Sequence, residues 1–219
     1  MIRLSILGSQ GKMGKRVHEL ALNDPEVCVA RTYSRQDTDL ESAFAACDVA
    51  IDFTSPQATL EHLNAALKAK KPLVLGTTGH SEKELKAIEI ASQTIPILYS
   101  PNFSLGIALC MDTAQRISKA LGSDCSIEIL ETHHVHKKDS PSGTALALAS
   151  ATGKEASISS IRTGEVIGEH TVIFKCGLER LELKHTAHSR DAFALGAIKG
   201  AKFLLKQPPG LYKTEDLIQ

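Results

Sequence analysis

Short apolar runs alternate with amphipathic segments through the first hundred residues of the chain. Strand-like apolar runs occupy residues 3–8, 27–33, 48–53, 72–76 and 95–100. Helical spacing of apolar residues follows several of these runs. Pro56 and the capping-box pair Ser81 and Glu84 mark the starts of two of these helices. Buried strands that alternate with amphipathic helices predict a doubly wound parallel sheet with both faces covered, an α/β domain.

The pattern changes after residue 105. A long helical segment, 105–121, ends at Gly122. Apolar and polar residues then alternate in three strand-like segments, 126–134, 171–176 and 179–187. Such alternation is typical of antiparallel strands with one solvated face. A last apolar helix, 191–206, precedes a Pro-Pro-Gly break. We therefore expect a Rossmann-type α/β domain and a smaller α+β domain with a mostly antiparallel sheet.

Composition excludes some classes of partner. The 25 basic and 25 acidic side chains of the 219 residues cancel, so no global field attracts nucleic acid or an anionic membrane. No apolar run is long enough to span a bilayer, and the first strand-like run starts at residue 2, where a secretory leader would lie. We expect a cytoplasmic protein that binds neither nucleic acid nor membrane.

The cysteines favour the same compartment. They are odd in number, lack CxxC spacing and lie in apolar or strand-like surroundings. The expectation is that all five are buried, reduced thiols: Cys28, Cys47, Cys110, Cys125 and Cys176.

Three glycines follow the first strand. Gly8, Gly11 and Gly14 lie where a strand-to-helix turn is expected, and glycines there let the backbone approach a pyrophosphate at the helix N-terminus. The spacing is G-x-x-G-x-x-G rather than G-x-G-x-x-G, and a tight turn that binds nothing is the alternative. The position directly after the first strand favours dinucleotide binding.

The end of the second strand bears on cofactor preference. A carboxylate there would bind a ribose 2′-hydroxyl, but the chain has Ser34 and Arg35 instead. A hydroxyl and a guanidinium suit a 2′-phosphate, so NADPH is predicted to be preferred over NADH. A surface arginine without a ligand is the alternative.

The densest group of titratable residues is ETHHVHKKDSPSGTA, 131–145. His133, His134 and His136 with Cys125 suggest a metal site, but Lys137 and its neighbour Lys138 place positive charge where the cation would lie. A solvated polar loop is a second interpretation.

The third interpretation, an anion site with a proton donor, uses every element of this stretch. Histidine exchanges protons near neutral pH, lysine holds a carboxylate, and a helix that starts at Ser142 offers its hydroxyl and N–H groups. The pattern therefore favours a small-molecule carboxylate substrate with more than one acid group, and no metal.

Several segments together resemble the 4-hydroxy-tetrahydrodipicolinate reductase (dihydrodipicolinate reductase) family of the diaminopimelate route to lysine. They extend over nearly the whole chain: GSQGKMG (8–14), DFT (52–54), GTTG (76–79), SPNFSLG (100–106), ETHHVHKKDSPSGTA (131–145), RTGEVIGEHTVIF (162–174), HTAHSRDAFALGA (185–197) and PGLY (209–212).

The resemblance implies roles for individual residues. His133 and Lys137 correspond to the family's proton-donor pair. The dicarboxylate pocket corresponds to His134, Lys137, Ser142, Gly143 and Thr144. The cofactor site corresponds to Gly8, Ser9, Gln10, Gly11, Lys12 and Met13 at the pyrophosphate, Ser34 and Arg35 at the adenosine ribose, and Gly76, Thr77, Thr78, Ser100, Pro101, Asn102 and Phe103 on the nicotinamide side.

The same resemblance implies a discontinuous dinucleotide-binding domain, 1–104 with 191–219, around a substrate-binding and oligomerisation domain, 105–190. It further implies a homotetramer and an NADPH- or NADH-dependent reduction with hydride delivered to C4 of the substrate. Two rivals remain: another two-domain dehydrogenase of amino-acid-derived carboxylates, and a sensor that binds NAD(P)H without turnover. Gly164, Gly168 and His170 are expected to be structural.

Overall fold

The computed structural model describes residues 1–218, which divide into two compact units. The first unit comprises Met1–Phe103 and Asp191–Leu217, and the second comprises Ser104–Arg190 and Ile218. Among the described residues, no helix is both long and apolar enough to cross a membrane.

A six-stranded parallel sheet forms the centre of the first unit, in the order β10-β5-β4-β3-β1-β2. Its strands are β1 (Ile2–Leu7), β2 (Val27–Tyr33), β3 (Val49–Asp52), β4 (Leu73–Leu75), β5 (Pro96–Tyr99) and β10 (Gly210–Tyr212). The helices of this unit are α1 (Lys12–Ala21), α2 (Leu40–Ala46), α3 (Thr59–Ala69), α4 (Glu82–Ser92) and α7 (Asp191–Leu204). The parallel α/β architecture is confirmed.

Buried apolar residues of the strands explain why this sheet is covered on both faces. All four residues of β3 and all three of β4 are buried, as a continuous apolar strand requires. Phe44 of α2 and Leu63 of α3 pack into the same core as Leu73 and Ile97. Because every strand of this sheet is parallel, the carboxyl ends of β1, β3, β4 and β5 lie along one edge.

The second unit contains a four-stranded sheet in the order β7-β6-β8-β9. Its strands are β6 (Ser126–His133), β7 (Ala156–Arg162), β8 (Gly168–Cys176) and β9 (Glu179–Ala187). The pair β6–β7 is parallel and the other two pairs are antiparallel, so the mostly antiparallel sheet is confirmed. One face packs against α5 (Leu105–Leu121) and α6 (Gly143–Ala151).

The expectation that all five cysteines are reduced is wrong for two of them. Cys125 and Cys176 form a disulfide, while Cys28, Cys47 and Cys110 are free. Ser126 pairs with Lys175 across the antiparallel strands, so the next residues outward, Cys125 and Cys176, face each other with Cα atoms 4.3 Å apart. Strand register brings them together, although 51 positions separate them in sequence.

Candidate active site

The turn between β1 and α1 is built by close backbone approach. Gly8 has φ +81°, and its N–H donates to the carbonyl of Tyr33 at 2.8 Å. A Cβ at Gly14 would lie 2.1 Å from the carbonyl oxygen of Gly8, so only glycine lets α1 start this close to the strand. Gly11 precedes the helix and offers no side-chain cap to its first N–H groups. These donors are therefore open to an anion.

A cavity of about 760 Å³ lies beside this turn in the first unit. Five residues predicted to bind the cofactor line it: Gly8, Gln10, Gly11, Ser34 and Arg35. Sequence reasoning did not assign other lining residues, which include Tyr33, Phe53, Thr54, Glu61 and His62. Ser9, Lys12 and Met13 belong to the same turn and helix start but do not line the cavity.

Ser34 is committed to an internal contact. Both its N–H and its hydroxyl donate to Oδ2 of Asp37, at 2.7 and 2.8 Å. These hydrogen bonds lower the pKa of Asp37. Ser34 is buried, whereas the neighbouring Arg35 is exposed at the cavity wall. Of the two predicted phosphate-binding groups, the guanidinium is thus the one available to a ligand.

A buried polar cluster follows β3. Oδ2 of Asp52 lies 2.6 Å from Nδ1 of His62, and Oδ1 accepts hydrogen bonds from the N–H and hydroxyl of Thr54 at 2.8 and 2.6 Å. The Thr54 N–H also donates to the hydroxyl of Thr77 at 3.1 Å. Asp52 and His62 are almost fully buried, so the cluster fixes the loops after β3 and β4 relative to each other.

The two predicted nicotinamide-side segments lie at the same edge of the sheet. Gly76–Thr78 follow β4, and Ser100–Phe103 follow β5. The Ser100 hydroxyl donates to the carbonyl of Asn102 at 2.7 Å, and the rings of Phe103 and Phe53 meet edge-on at 5.7 Å. Neither segment lines the 760 Å³ cavity.

Strand β6 places two polar side chains on the buried face of the second unit's sheet. Ile127, Ile129, Glu131 and His133 share one face because side chains alternate along a strand. Glu131 is fully buried and His133 nearly so. Nδ1 of His133 contacts Oε2 of Glu131, and Arg162 of β7 binds both Glu131 oxygens at 2.8 and 2.9 Å.

The charges of this group are set by those contacts. Burial raises the pKa of Glu131, but hydrogen bonds from Arg162, Ser160, His133 and the Ser142 N–H outweigh it and lower the pKa to about 2. Burial lowers the pKa of His133, and the contact with Glu131 partly opposes that effect. Sequence reasoning missed Glu131 and Arg162. The available signal was that Glu131 and His133 continue the buried register of Ile127 and Ile129.

Ser142 caps α6 rather than projecting into solvent. Its hydroxyl accepts a hydrogen bond from the Ala145 N–H at 3.1 Å and lies 3.2 Å from Nε2 of His170. Its own N–H donates to Glu131 Oε1 at 3.1 Å. His170, expected to be structural, is buried with its ring 5.0 Å from that of His133, and burial lowers its pKa to about 3.

The loop between β6 and α6 holds the remaining predicted residues. Lys137 Nζ lies 2.8 Å from Oδ2 of Asp139, and Gly143 and Thr144 are the first two residues of α6. His134 is half-buried, and its Nδ1 has no hydrogen-bond partner among residues 1–218. His136 is exposed, 3.8 Å from the exposed carboxylate of Glu165.

The metal interpretation loses one of its ligands. Cys125 is bonded to Cys176 and so has no free thiolate. Within the described chain, no group of three or more His, Cys, Asp or Glu side chains is arranged to hold a metal ion.

Two family models match the chain almost end to end. Residues 2–103 match the model described as dihydrodipicolinate reductase, N-terminus, and residues 106–218 match dihydrodipicolinate reductase, C-terminus. The chain is 39% identical to the 4-hydroxy-tetrahydrodipicolinate reductase of Akkermansia muciniphila, covering 100% of this chain and 98% of the relative. It is 40% identical to that of Campylobacter jejuni, with 100% and 99% coverage.

Solved structures show the same fold. Dipicolinate-bound dihydrodipicolinate reductase from Paenisporosarcina superposes with a TM-score of 0.82 at 24% identity, covering 97% of each chain. A Corynebacterium glutamicum DAP dehydrogenase in complex with DAP superposes with a TM-score of 0.64 at 13% identity, covering 100% of this chain and 95% of that one.

Proposed function

The chain belongs to the dihydrodipicolinate reductase family, and we propose that it reduces 4-hydroxy-tetrahydrodipicolinate, by way of dihydrodipicolinate, to tetrahydrodipicolinate with NAD(P)H. The observation that supports this most strongly is the match of both halves of the chain to the two family models. The arrangement of His133, Lys137 and the start of α6 agrees with a dicarboxylate substrate that must gain a proton.

The first unit fits a dinucleotide. The cradle around Gly8 and Gly14 has no room for a Cβ, and the uncapped N–H groups of α1 face an anion's charge. Gly8–Met13 hold the pyrophosphate in this proposal, and Gly76–Thr78 with Ser100–Phe103 lie on the nicotinamide side. The bound dinucleotide supplies the hydride that reduces C4 of the substrate.

NADPH is the preferred cofactor in this proposal. Arg35 lines the cavity and forms no ion pair within residues 1–218, so its guanidinium is available to a 2′-phosphate. Ser34 supports the turn through Asp37 rather than binding the phosphate through its hydroxyl. Glu61, which also lines the cavity, is a carboxylate that would oppose a second negative charge.

The substrate carboxylates bind in the second unit. Lys137 supplies a positive charge, and the amides of Gly143 and Thr144 begin α6 where the helix dipole favours an anion. Ser142 contributes by capping this helix, which fixes the direction of those amides. His134, with an unpartnered ring nitrogen, provides a further polar contact.

His133 supplies the proton. Loss of water from the hydroxy substrate gives a conjugated cyclic imine, and hydride addition at C4 leaves an enamine that must be protonated. Burial lowers the pKa of His133 in the free protein. A bound dianion would raise that pKa again, so substrate binding favours the protonated imidazole that the reaction needs. Lys137 holds a carboxylate and assists the transfer.

A kinetic assay tests this function. NADPH oxidation is followed after adding the condensation product of pyruvate and aspartate semialdehyde. We expect His133→Gln and Lys137→Ala to lower kcat by about 10²- to 10⁴-fold, the range for general acid catalysis, and Thr144→Ala mainly to raise KM. A protein that binds NADPH without oxidising it on adding this substrate would be the sensor instead. Unchanged kcat in both variants would contradict the assigned roles.

The second unit also forms the oligomer in this proposal. Leu178, Leu181 and Ile161 are each more than two-fifths exposed on or beside the strands of its sheet. A homotetramer in which these strands meet those of another copy would cover them. Light scattering after size-exclusion chromatography measures the mass, and a monomer would contradict this assembly.

A further inference from the structure

Arg162, Glu131 and His133 form a connected chain in the second unit. Arg162 Nη1 lies 2.9 Å from Oε2 of Glu131, and Nη2 lies 2.8 Å from Oε1. Oε2 also contacts Nδ1 of His133. Glu131 is 0% and His133 7% exposed, so these contacts are shielded from water. Arg162 Nη2 additionally donates to the Asp139 carbonyl at 2.7 Å, which fixes the guanidinium itself.

The direction of the His133 hydrogen bond follows from the charge on Glu131. Its pKa is lowered to about 2, so Glu131 is ionised across the working range of pH and can only accept. Nδ1 of His133 must therefore be the protonated nitrogen of the neutral ring, and Nε2 is the nitrogen that gains and loses the second proton. A buried carboxylate held by two guanidinium hydrogen bonds does not take that proton.

Gly168 leaves the space next to Nε2 free. A Cβ at this position, the first of β8, would lie 3.1 Å from Nε2 of His133. Any side chain at this position would crowd the nitrogen that the neighbouring carboxylate leaves available. The glycine previously expected to shape a turn thus has a second consequence at the ring.

We propose that Glu131, held by Arg162, is the positioning residue that fixes the tautomer and orientation of His133, so that Nε2 delivers the proton. The inference rests on the proposed function, in which His133 is the proton donor. The charged or titratable groups that face the ring are Glu131 on its own strand, Lys137 on the following loop, Arg162 on β7 and His170 on β8. Glu131 is the only anion among these four.

Glu131→Gln tests the proposal because it keeps the shape and removes the charge. We expect kcat to fall at least about tenfold with KM for the substrate changed less than about threefold, as for the orienting carboxylate of a catalytic triad. An acid catalyst loses activity as pH rises through its pKa. Without the anion, His133 loses its proton at lower pH, so the alkaline limb of kcat/KM should move down by on the order of one pH unit.

Two other variants make the test specific. Glu128→Gln, on the opposite face of β6 and paired with Lys175 at 2.6 Å, should leave kcat and the pH profile unchanged. Glu131→Asp should restore the pH limb in part because it returns the charge. If Glu131→Gln fails to fold, Arg162→Lys provides the measurement, with the same loss of kcat expected from a loosened carboxylate.

The outcomes separate this proposal from the proposed function. If His133→Gln is impaired while folded Glu131→Gln, or Arg162→Lys in its place, keeps wild-type kcat and pH limb, Glu131 does not position His133. If His133→Gln itself keeps wild-type kcat, the proton-donor role fails instead. Nitrogen NMR of the His133 ring gives an independent measurement, since a wild-type ring protonated at Nε2 rather than Nδ1 in its neutral form would overturn the tautomer.

Discussion

Asp139 is an internal carboxylate that occupies the donors proposed for the substrate. Its Oδ2 lies 2.8 Å from Nζ of Lys137. Burial raises the pKa of Asp139, but hydrogen bonds from Lys137 and the Gly143 N–H outweigh it and lower the pKa. Lys137 and Gly143 are two of the groups assigned to a substrate carboxylate, so the substrate must compete with Asp139 for them.

Asp139→Asn should therefore strengthen substrate binding. Exposed ion pairs contribute up to about 1 kcal/mol, so we expect KM to fall roughly two- to fivefold. Asp112→Asn, which removes an exposed carboxylate from α5, is the matched control and should leave KM unchanged. An unchanged or higher KM in the Asp139 variant would mean that this carboxylate assists binding rather than competing.

Arg35→Ala should alter cofactor preference. Loss of a charge-assisted contact to a 2′-phosphate costs about 1.5–3 kcal/mol, so KM for NADPH should rise roughly 10- to 100-fold while KM for NADH changes little. The measurement is the ratio of kcat/KM for the two cofactors, with Arg116→Ala on the exposed face of α5 as the control. Preference of the unmodified protein for NADH would contradict the role of Arg35.

Long, strongly patterned elements could be predicted from the sequence. The predicted strand 27–33 and helix 105–121 coincide with β2 and α5, because each has a continuous apolar pattern and a clear end. Strand β10 was missed because its three residues follow two prolines, and only pairing with β5 makes them a strand. Strand β7 was missed because its outer positions include serines and an exposed isoleucine, Ile161.

Local chemistry could be predicted where neighbouring residues supply it, and not where strand register does. His133, Lys137 and Ser142 lie within one stretch of sequence. Arg162 reaches Glu131 only because β7 pairs with β6 in parallel, with Glu131 opposite Ser160 and His133 opposite Arg162. Cys125 and Cys176 face each other for the same kind of reason.

The disulfide should stabilise the second unit. Cross-linking residues 51 positions apart removes chain entropy from the unfolded state, a contribution of roughly 4 kcal/mol in the loop-closure model and often less in practice. We expect Cys176→Ser to lower the free energy of unfolding by about 2–4 kcal/mol, measured by denaturant titration under oxidising conditions. Cys110→Ser, which removes a free buried thiol, is the comparison.

Alkylation of the native protein followed by peptide mapping checks the bond directly. Cys125 and Cys176 should appear as one linked peptide pair that reducing agent separates. Recovery of both as alkylated thiols, without reduction, would show that the register brings them together without joining them.

His170 should make stability depend on pH. Burial, with a smaller effect of His133, lowers its pKa from 6.5 to about 3, so the folded protein resists a proton that the unfolded chain accepts. Stability linked to this group is complete above about pH 6.5 and falls as the pH decreases toward 3, by about 1.4 kcal/mol per pH unit. Between pH 7 and pH 5 the unfolding free energy should therefore fall by roughly 2 kcal/mol through His170.

His170→Gln isolates this effect, because glutamine can keep a hydrogen bond to the Ser142 hydroxyl but does not titrate. We expect the fall in unfolding free energy between pH 7 and pH 5 to be smaller in this variant by roughly 2 kcal/mol, measured by urea titration at both values. His136→Gln should reproduce the wild-type fall, since His136 is exposed. Equal falls in the wild type and the His170 variant would show that His170 gains its proton in the folded protein as readily as in the unfolded chain.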